Sequence, residues 1–403
     1  MGSVAGVSDL VTIDDALEAI LARAHPLEPE RLPLLEAHGR VLAQTAVATT
    51  DLPPFPSSAM DGFAVRAADT PGRLSVVGSS AAGRPSSASL APGATIAIAT
   101  GAVVPEGADA VVPIELVRHE DNSVEVPSAV AVGANVRPRG GDVGAGDDVV
   151  LAGARVGAAQ IGALAAAGVT ELECARRPRV RLLSTGTELR RPGEPLGRGE
   201  IYESNAPMLD AALRGAGAVV EVLPPAEDDP GALRVTFADG LAADVLVTSG
   251  GVSVGAHDLV RSTGRELGVD EVFWGVAMRP GKPLFFGVRD GTLVFGLPGN
   301  PVSSLVAAML FVRPAVLALQ GASDPGPDWA GGTIATPARR APLRDDLLRA
   351  RSTVTPDGVV LTPVAGQESH MITRAALADA LVHVPRGDGE LAAGTRVRYL
   401  RLD

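Results

Sequence analysis

Val245-Leu246-Val247-Thr248-Ser249-Gly250-Gly251-Val252-Ser253-Val254-Gly255 (VLVTSGGVSVG, residues 245–255) joins a short apolar run to a glycine turn, and a helical pattern follows after His257. An apolar run bounded by glycine predicts a buried strand, and a strand feeding a helix through such a loop is half of a βαβ unit. The same order recurs on both sides. Residues 180–183 predict a strand, Ser184-Thr185-Gly186-Thr187-Glu188 a turn, and 205–214 a helix. Residues 219–223 predict a strand and 230–241 a helix, with further strands at 272–276, 284–288 and 293–295. Gly296-Leu297-Pro298-Gly299-Asn300-Pro301, with Ser303 and Ser304, opens a long helix to Gln320. This alternation implies a parallel sheet covered on both faces, with ligand crevices at the carboxyl ends of its strands.

Three glycine loops on one α/β unit point to an anionic ligand. Backbone N–H groups and hydroxyls at helix starts cradle phosphate or another oxyanion. One such loop is also what any tight turn looks like; three together are not. The segment 275–282 resembles a P-loop only superficially: it is one residue too long, and Pro283 stands where a magnesium-binding hydroxyl belongs. No dinucleotide glycine fingerprint follows a strand. Glu188, Asp228, Asp229, Asp244 and Asp258 recur beside the loops, and carboxylates near a phosphate cradle commonly hold Mg²⁺. Each alone is equally a solvated helix-start carboxylate.

Of 35 basic residues, all but one are arginine. The exception, Lys282, sits in Arg279-Pro280-Gly281-Lys282-Pro283. Prolines and glycine shape the backbone around that amine. A compact ammonium on a stiff loop is a point-charge ligand for an oxyanion, a role a planar guanidinium fills differently.

With 403 residues and 46% hydrophobic content, the chain is expected to form two or more packed domains. Aromatics are only 3%, so the cores fall to Val, Leu, Ile and Ala. The single cysteine, Cys174, excludes an internal disulfide and a cysteine-only metal site and fits a reducing compartment. A net charge of −12 argues against general nucleic-acid binding. No signal peptide is read at the N-terminus. The longest apolar stretch, 301–319, is interrupted by Arg313 and Pro314 and reads as a buried helix, so no membrane span is expected.

Outside the α/β unit, residues 12–24 have helical spacing with Thr12 as the cap and Asp14 and Asp15 in the first turn. Residues 49–148 alternate short β-branched runs with turns and predict a β-domain. It contains the proline-rich segment before Met60-Asp61-Gly62 and the turn Arg137-Pro138-Arg139-Gly140-Gly141-Asp142. The small-residue stretch 151–168 predicts closely packed helices, with room for a second copy. A Gly/Pro/Asp linker at 321–328 precedes another short-strand region, 330–403.

The carrying segments are SSAMDGFAVR from Ser57, RPRGGD from Arg137, LSTGTEL from Leu183, IYESN from Ile201, TSGGVSVGAHD from Thr248, MRPGKPLFFG from Met278, GLPGNPVSS from Gly296 and GQESHM from Gly366. Together, and in this order over nearly the whole chain, they resemble the molybdopterin molybdenumtransferase family, which includes MoeA and the E domain of gephyrin. The resemblance implies a multidomain α/β protein. Its central three-layer α/β domain, with a mostly parallel sheet, would be MogA/MoaB-like and span 177–326. A helical/linker dimerisation domain would comprise 7–48 and 145–176, with a β-rich insertion at 49–144 and a C-terminal β-barrel-like domain at 327–403.

It implies a cytoplasmic homodimer that inserts molybdate into adenylylated molybdopterin with Mg²⁺-dependent release of AMP. Transient contacts with other cofactor-biosynthesis proteins would be expected, and none with nucleic acid or membrane. By position, Arg279, Lys282, Pro283, Pro301, Ser303, Arg349 and Ser369 would meet molybdate. Thr185, Gly186, Ser249, Gly250, Gly251, Ser253, Gly299 and Asn300 would bind the nucleotide and pterin. Glu188, Asp228 and Asp258 would hold the metal. Asp61 and Asp142 would enter the catalytic site from the other subunit.

The chain departs from the family pattern at four places. Arg279 stands where lysine is usual, Thr187 where an aspartate precedes Glu188, and His257 before Asp258; Glu368 and His370 flank Ser369. Two other functions fit an α/β unit of this kind: adenylylation of molybdopterin from ATP, and pterin binding without catalysis. No hydroxyl has an evident paired base, so an acyl-transfer triad is not expected.

Overall fold

A computed structural model describes residues 10–225, 230–251 and 259–402. At its centre is a six-stranded sheet in the order Val219–Val222, Arg179–Ser184, Val245–Ser249, Thr292–Leu297, Phe285–Arg289, Asp270–Trp274. The first four strands are parallel. Phe285–Arg289 pairs antiparallel with Thr292–Leu297 and with Asp270–Trp274, so the sheet is mixed and mostly parallel. The cause is local: only Asp290 and Gly291 separate Phe285–Arg289 from Thr292–Leu297, with φ of 47° and 87°. Two residues in that conformation make a hairpin and are far too few for a crossover. The strand expected at 272–276 lies at Asp270–Trp274 and stops before Gly275, whose φ is 90°.

Side-chain alternation sorts the sheet onto two cores. Leu182, Val247 and Phe295 pack with Leu209 and Leu213 of the helix Asn205–Gly215 and with the long C-terminal helix of the unit. Leu183, Leu246 and Val294 pack with Leu233, Phe237 and Val260 on the opposite face. Each such leucine or phenylalanine contributes about 1.5–3 kcal/mol on full burial. The long helix runs Pro301–Leu319 and is mostly buried. It changes to π geometry at Ala308–Val312 just before Arg313–Leu319. Pro314 lacks the N–H for an α-type bond and would clash one turn back, so the wider turn absorbs it.

Thr12 caps the helix Ile13–Leu21, its Oγ1 accepting from the Asp15 amide at 3.0 Å. Ile13, Ala16 and Ile20 enter the first α/β core, beside the long helix. Pro29–Pro33 pairs with Glu171–Ala175, so two segments distant in sequence share one small core containing the buried Cys174. The small-residue stretch forms one helix, Ala158–Ala166, with only Leu164 buried. Between these lies a six-stranded sheet in the order Ala110–Pro113, Gly62–Val65, Ala94–Ile98, Gly72–Ser80, Ser123–Val126, Arg118–Glu120.

At the C-terminus, Asp345–Thr355, Gly358–Pro363, Trp329–Ile334, Arg396–Arg401 and Ala380–Val384 pair in sequence around a ring, and the last returns to the first. This closed five-stranded barrel is joined to the α/β unit by Met278–Arg279, which pairs in parallel with Asp345 and Asp346.

Asp244 lies at the amino end of Val245–Ser249, away from the glycine loops at the other end. It accepts two bonds from Arg176, both 2.7 Å, and one from the Arg179 amide at 2.7 Å. Burial alone would raise its carboxyl, but the Arg176 pair and the Arg179 amide overcome this and hold it below the usual carboxylate range. The folded state therefore gains stability from ionised Asp244 above the unfolded carboxyl's pKa and loses it as pH falls through the lower folded value. Asp244→Ala is expected to lower stability by about 1–3 kcal/mol at neutral pH. In urea melts the difference from wild type should shrink as pH falls below about 4, the unfolded range. A deficit independent of pH would show that the carboxylate charge contributes nothing.

Candidate functional site

The carboxyl ends of Arg179–Ser184, Val245–Ser249 and Thr292–Leu297 open into a cavity of about 730 Å³. Thr185, Gly186, Ser249, Gly250, Gly251, Gly299 and Asn300 line it, so the glycine loops converge as expected. Asn205 ties them together. Its Nδ2 donates to Ser249 Oγ at 2.7 Å and to the Gly299 carbonyl at 2.8 Å. A carbonyl only accepts, so the amide orientation is determined. Its Oδ1 is buried without a partner. Gly250 has φ 92°, and a Cβ there would stand 2.8 Å from both the carbonyl oxygen and Oγ1 of Thr185, so the loop closes on itself only with glycine.

A second cavity, about 680 Å³, lies between the Lys282 loop and the barrel. Arg279, Lys282, Ser303 and Ser369 line it, together with Arg344. Pro283, Pro298, Asn300 and His370 line both cavities, so the two adjoin; Pro301 lines only the first. The barrel's contribution is fastened to the α/β unit at two points. The Val302 amide, in the first turn of the long helix, donates to the Ser369 carbonyl at 3.1 Å. Arg279 grips Asp346 with Nε–Oδ1 at 2.7 Å and a second bond at 2.5 Å. Asp346 is 1% exposed, whereas Arg279 is 57% exposed. Arg279 thus reaches the cavity with its charge already matched by a carboxylate.

Arg349, expected to meet molybdate, is 1% exposed. Its guanidinium donates to the carbonyls of Met371 at 2.6 Å, Gly366 at 2.8 Å and Glu368 at 3.1 Å. Burial lowers its pKa. It lies behind the loop carrying Ser369 and is not among the residues lining the cavity.

Glu188 lines the first cavity at its exposed rim. Glu203, also there, caps the helix Asn205–Gly215 by accepting from the Asn205 and Ala206 amides. Asp228, Asp229, Ser253, His257 and Asp258 lie outside the described residues. Glu188 is therefore the described carboxylate with oxygens open to a cation, and one or two carboxylates suffice for Mg²⁺, which keeps several waters. Asp61 and Asp142 line neither cavity. Asp61 accepts from the Thr100 amide at 2.7 Å, and both are exposed on the β-rich unit.

Comparison with known proteins bears on this architecture. Residues 11–168 match the family model described as "MoeA N-terminal region (domain I and II)", 181–318 "Probable molybdopterin binding domain", and 332–402 "MoeA C-terminal region (domain IV)". A protein of Mycobacterium tuberculosis named molybdopterin molybdenumtransferase 2 is 39% identical, covering 92% of this chain and 94% of its own length. This chain belongs to the molybdopterin molybdenumtransferase family. A family member from Haemophilus influenzae is 34% identical, covering 96% of this chain and 98% of its own. The crystal structure of the molybdopterin biosynthesis MoeA protein from Pyrococcus horikoshii superposes with a TM-score of 0.80 at 31% identity, covering 98% of this chain and all of that one.

Within this transferase-family fold, Arg344 and Asp346 carry no local pattern that marks them. Asn205 ends the segment IYESN and reads as a helix start, with no sign of the loops it ties together, and Asp346 acquires its partner through strand register. Arg279→Ala should lower stability by about 1–3 kcal/mol, because Asp346 is left buried without its cation. Asp346→Asn in the same chain should restore part of the loss in a double-mutant cycle. Additive losses in the two variants would show that the pair is not coupled.

Proposed function

We propose that this chain inserts molybdate into adenylylated molybdopterin and releases AMP in a Mg²⁺-dependent reaction. The observation that carries the reading is the adjacency of two unlike cavities. One is walled by glycine loops suited to a phosphoanhydride and pterin, the other by the lysine loop suited to a tetraoxo anion, and four residues are common to both.

In the first cavity, backbone amides of Gly186 and Gly251 hold the anhydride oxygens, while Thr185 and Ser249 contribute hydroxyls; the Gly250 amide is already engaged by the Leu297 carbonyl at 3.1 Å. In the second, Lys282 neutralises the molybdate dianion. Arg279, matched by Asp346, contributes hydrogen-bond donors more than net charge. Ser303 and Ser369 orient the oxygens. The anhydride P–O bond is cleaved by a water oxygen that ends on AMP, while the dithiolene sulfurs replace an oxygen on the metal that leaves as water with the thiol protons, and no covalent adduct with the chain is required. Glu188, with Asp228 and Asp258, would hold Mg²⁺, which supplies charge neutralisation at the departing phosphate.

The division into 7–48 with 145–176, 49–144, 177–326 and 327–403 is part of the proposal. The pairing of Pro29–Pro33 with Glu171–Ala175 supports its discontinuous first unit. So is a cytoplasmic homodimer in which Asp61 and Asp142 complete the site of the other subunit. Their place outside both cavities of their own chain supports that assignment.

Incubation with adenylylated molybdopterin, Mg²⁺ and molybdate should yield AMP and metal-loaded pterin. Formation of adenylylated pterin from ATP and molybdopterin instead would favour an adenylyltransferase; tight pterin binding without turnover would favour a scaffold. Lys282→Ala should abolish molybdate-dependent AMP release and leave adenylylated pterin bound. Normal turnover in that variant would remove Lys282 from the mechanism.

A further inference from the structure

We infer that Asn205 is a positioning residue for Ser249: by donating to that hydroxyl it leaves Ser249 to donate in turn, so that Ser249 selects an anionic oxygen of the ligand. The inference rests on the proposed reading of the first cavity as the phosphoanhydride site.

Hydrogen counting gives the direction. A side-chain amide carries two N–H donors and one carbonyl acceptor. Asn205 spends both donors inside the protein, one on the Gly299 carbonyl at 2.8 Å and one on Ser249 Oγ at 2.7 Å. Turning the amide over would set Oδ1 against the Gly299 oxygen, two acceptors facing each other. Ser249 therefore accepts from Asn205, and its own proton takes no part in that bond. Among the described residues no acceptor receives that proton. Ser249 is 4% exposed and lines the cavity, which is the space left for it. Thr185 is set the other way, its Oγ1 donating to the Ser249 carbonyl at 3.4 Å.

The fold holds this arrangement at a cost. Asn205 is 8% exposed, and its Oδ1 is buried with no donor. A buried acceptor left unpaired is destabilising, and such a group in a native protein calls for a functional reason. The residue's backbone is fixed independently of its side chain. It opens the helix Asn205–Gly215, whose first amides are held by the Glu203 carboxylate. From that fixed point one amide sets the loops after two different strands.

An anion is the ligand chemistry that fits. A hydroxyl kept as a donor makes a charge-assisted bond to a phosphate oxygen and gains nothing from a ligand N–H. The neighbouring backbone makes the donor necessary. The Gly250 amide is turned to the Leu297 carbonyl at 3.1 Å, so Ser249 supplies the hydrogen that this position of the loop does not.

The test is calorimetric titration of the full-length protein with AMP, the proposed product that carries the anion, and with adenosine, which lacks it. Ser249→Ala should weaken AMP binding about tenfold or more and leave adenosine unchanged. Asn205→Asp reverses the polarity, because an ionised carboxylate takes the Ser249 proton for itself. Its AMP affinity should fall about tenfold or more near pH 8. Relative to the unaltered protein it should recover towards about pH 5, where the carboxyl, its pKa raised by burial, becomes a donor again. In a Ser249→Ala background the same substitution should cost clearly less, since the hydroxyl it redirects is gone. Asn205→Ala serves if the aspartate variant does not fold, with the same dependence on Ser249. An equal loss with and without Ser249 would overturn the assignment. So would a parallel loss for adenosine, the mark of a cavity that has merely loosened, or wild-type AMP affinity in Ser249→Ala. If the unaltered protein binds AMP no better than adenosine, the reading of the cavity itself fails, and this assignment with it.

Discussion

Asp346 is a carboxylate almost wholly removed from water, and it remains compatible with the fold because Arg279 closes on both its oxygens. Left without such a partner, the buried charge would cost about 1–3 kcal/mol. The pair lies in the parallel pairing of Met278–Arg279 with Asp345 and Asp346, which joins the barrel to the α/β unit beside the Val302–Ser369 backbone bond and the shared core containing Leu347, Leu381 and Leu400. Lys282 lies three residues beyond Arg279, and Arg344 two residues before Asp346. Both side chains line the second cavity and are thus placed by the same joint.

The joint also determines what kind of cation Arg279 is. Arginine replaces lysine here, and a lysine could not hold two carboxylate oxygens with a rigid fork. The guanidinium serves the interface first and the cavity second. Around it, the loop 366–371 is held from behind by Arg349 and from the side by the Val302 amide, so Ser369 is presented by backbone contacts on two units. The cavity is an interface product: neither the α/β unit nor the barrel contains it alone.

Most of the α/β unit was legible in the chain because its signals are local. Short β-branched runs, glycine turns and apolar helical spacing placed the strands and the long helix to within a few residues, and Thr12 caps the first helix as its position indicates. The glycine loops converge because they all follow parallel strands of one sheet. The antiparallel pair follows from Asp290-Gly291, a two-residue connection too short for the crossover that the strand–helix alternation needs. Asp244 stood next to a loop-bearing strand in sequence but at its wrong end in space, a strand's length from the cavity.

The sequence by itself determined the family, the order of α/β elements, the glycine cradle and the single primary amine of the side chains, since each of these depends on residue identity within a few positions. Which charges remain free could be decided only by the tertiary structure. Arg279, Arg344 and Arg349 are chemically identical in the chain. One is matched by a carboxylate across an interface, one is left open, and one is turned inward onto carbonyls. The difference arises from strand register in a barrel whose pairings join residues far apart in sequence, and no local pattern encodes that.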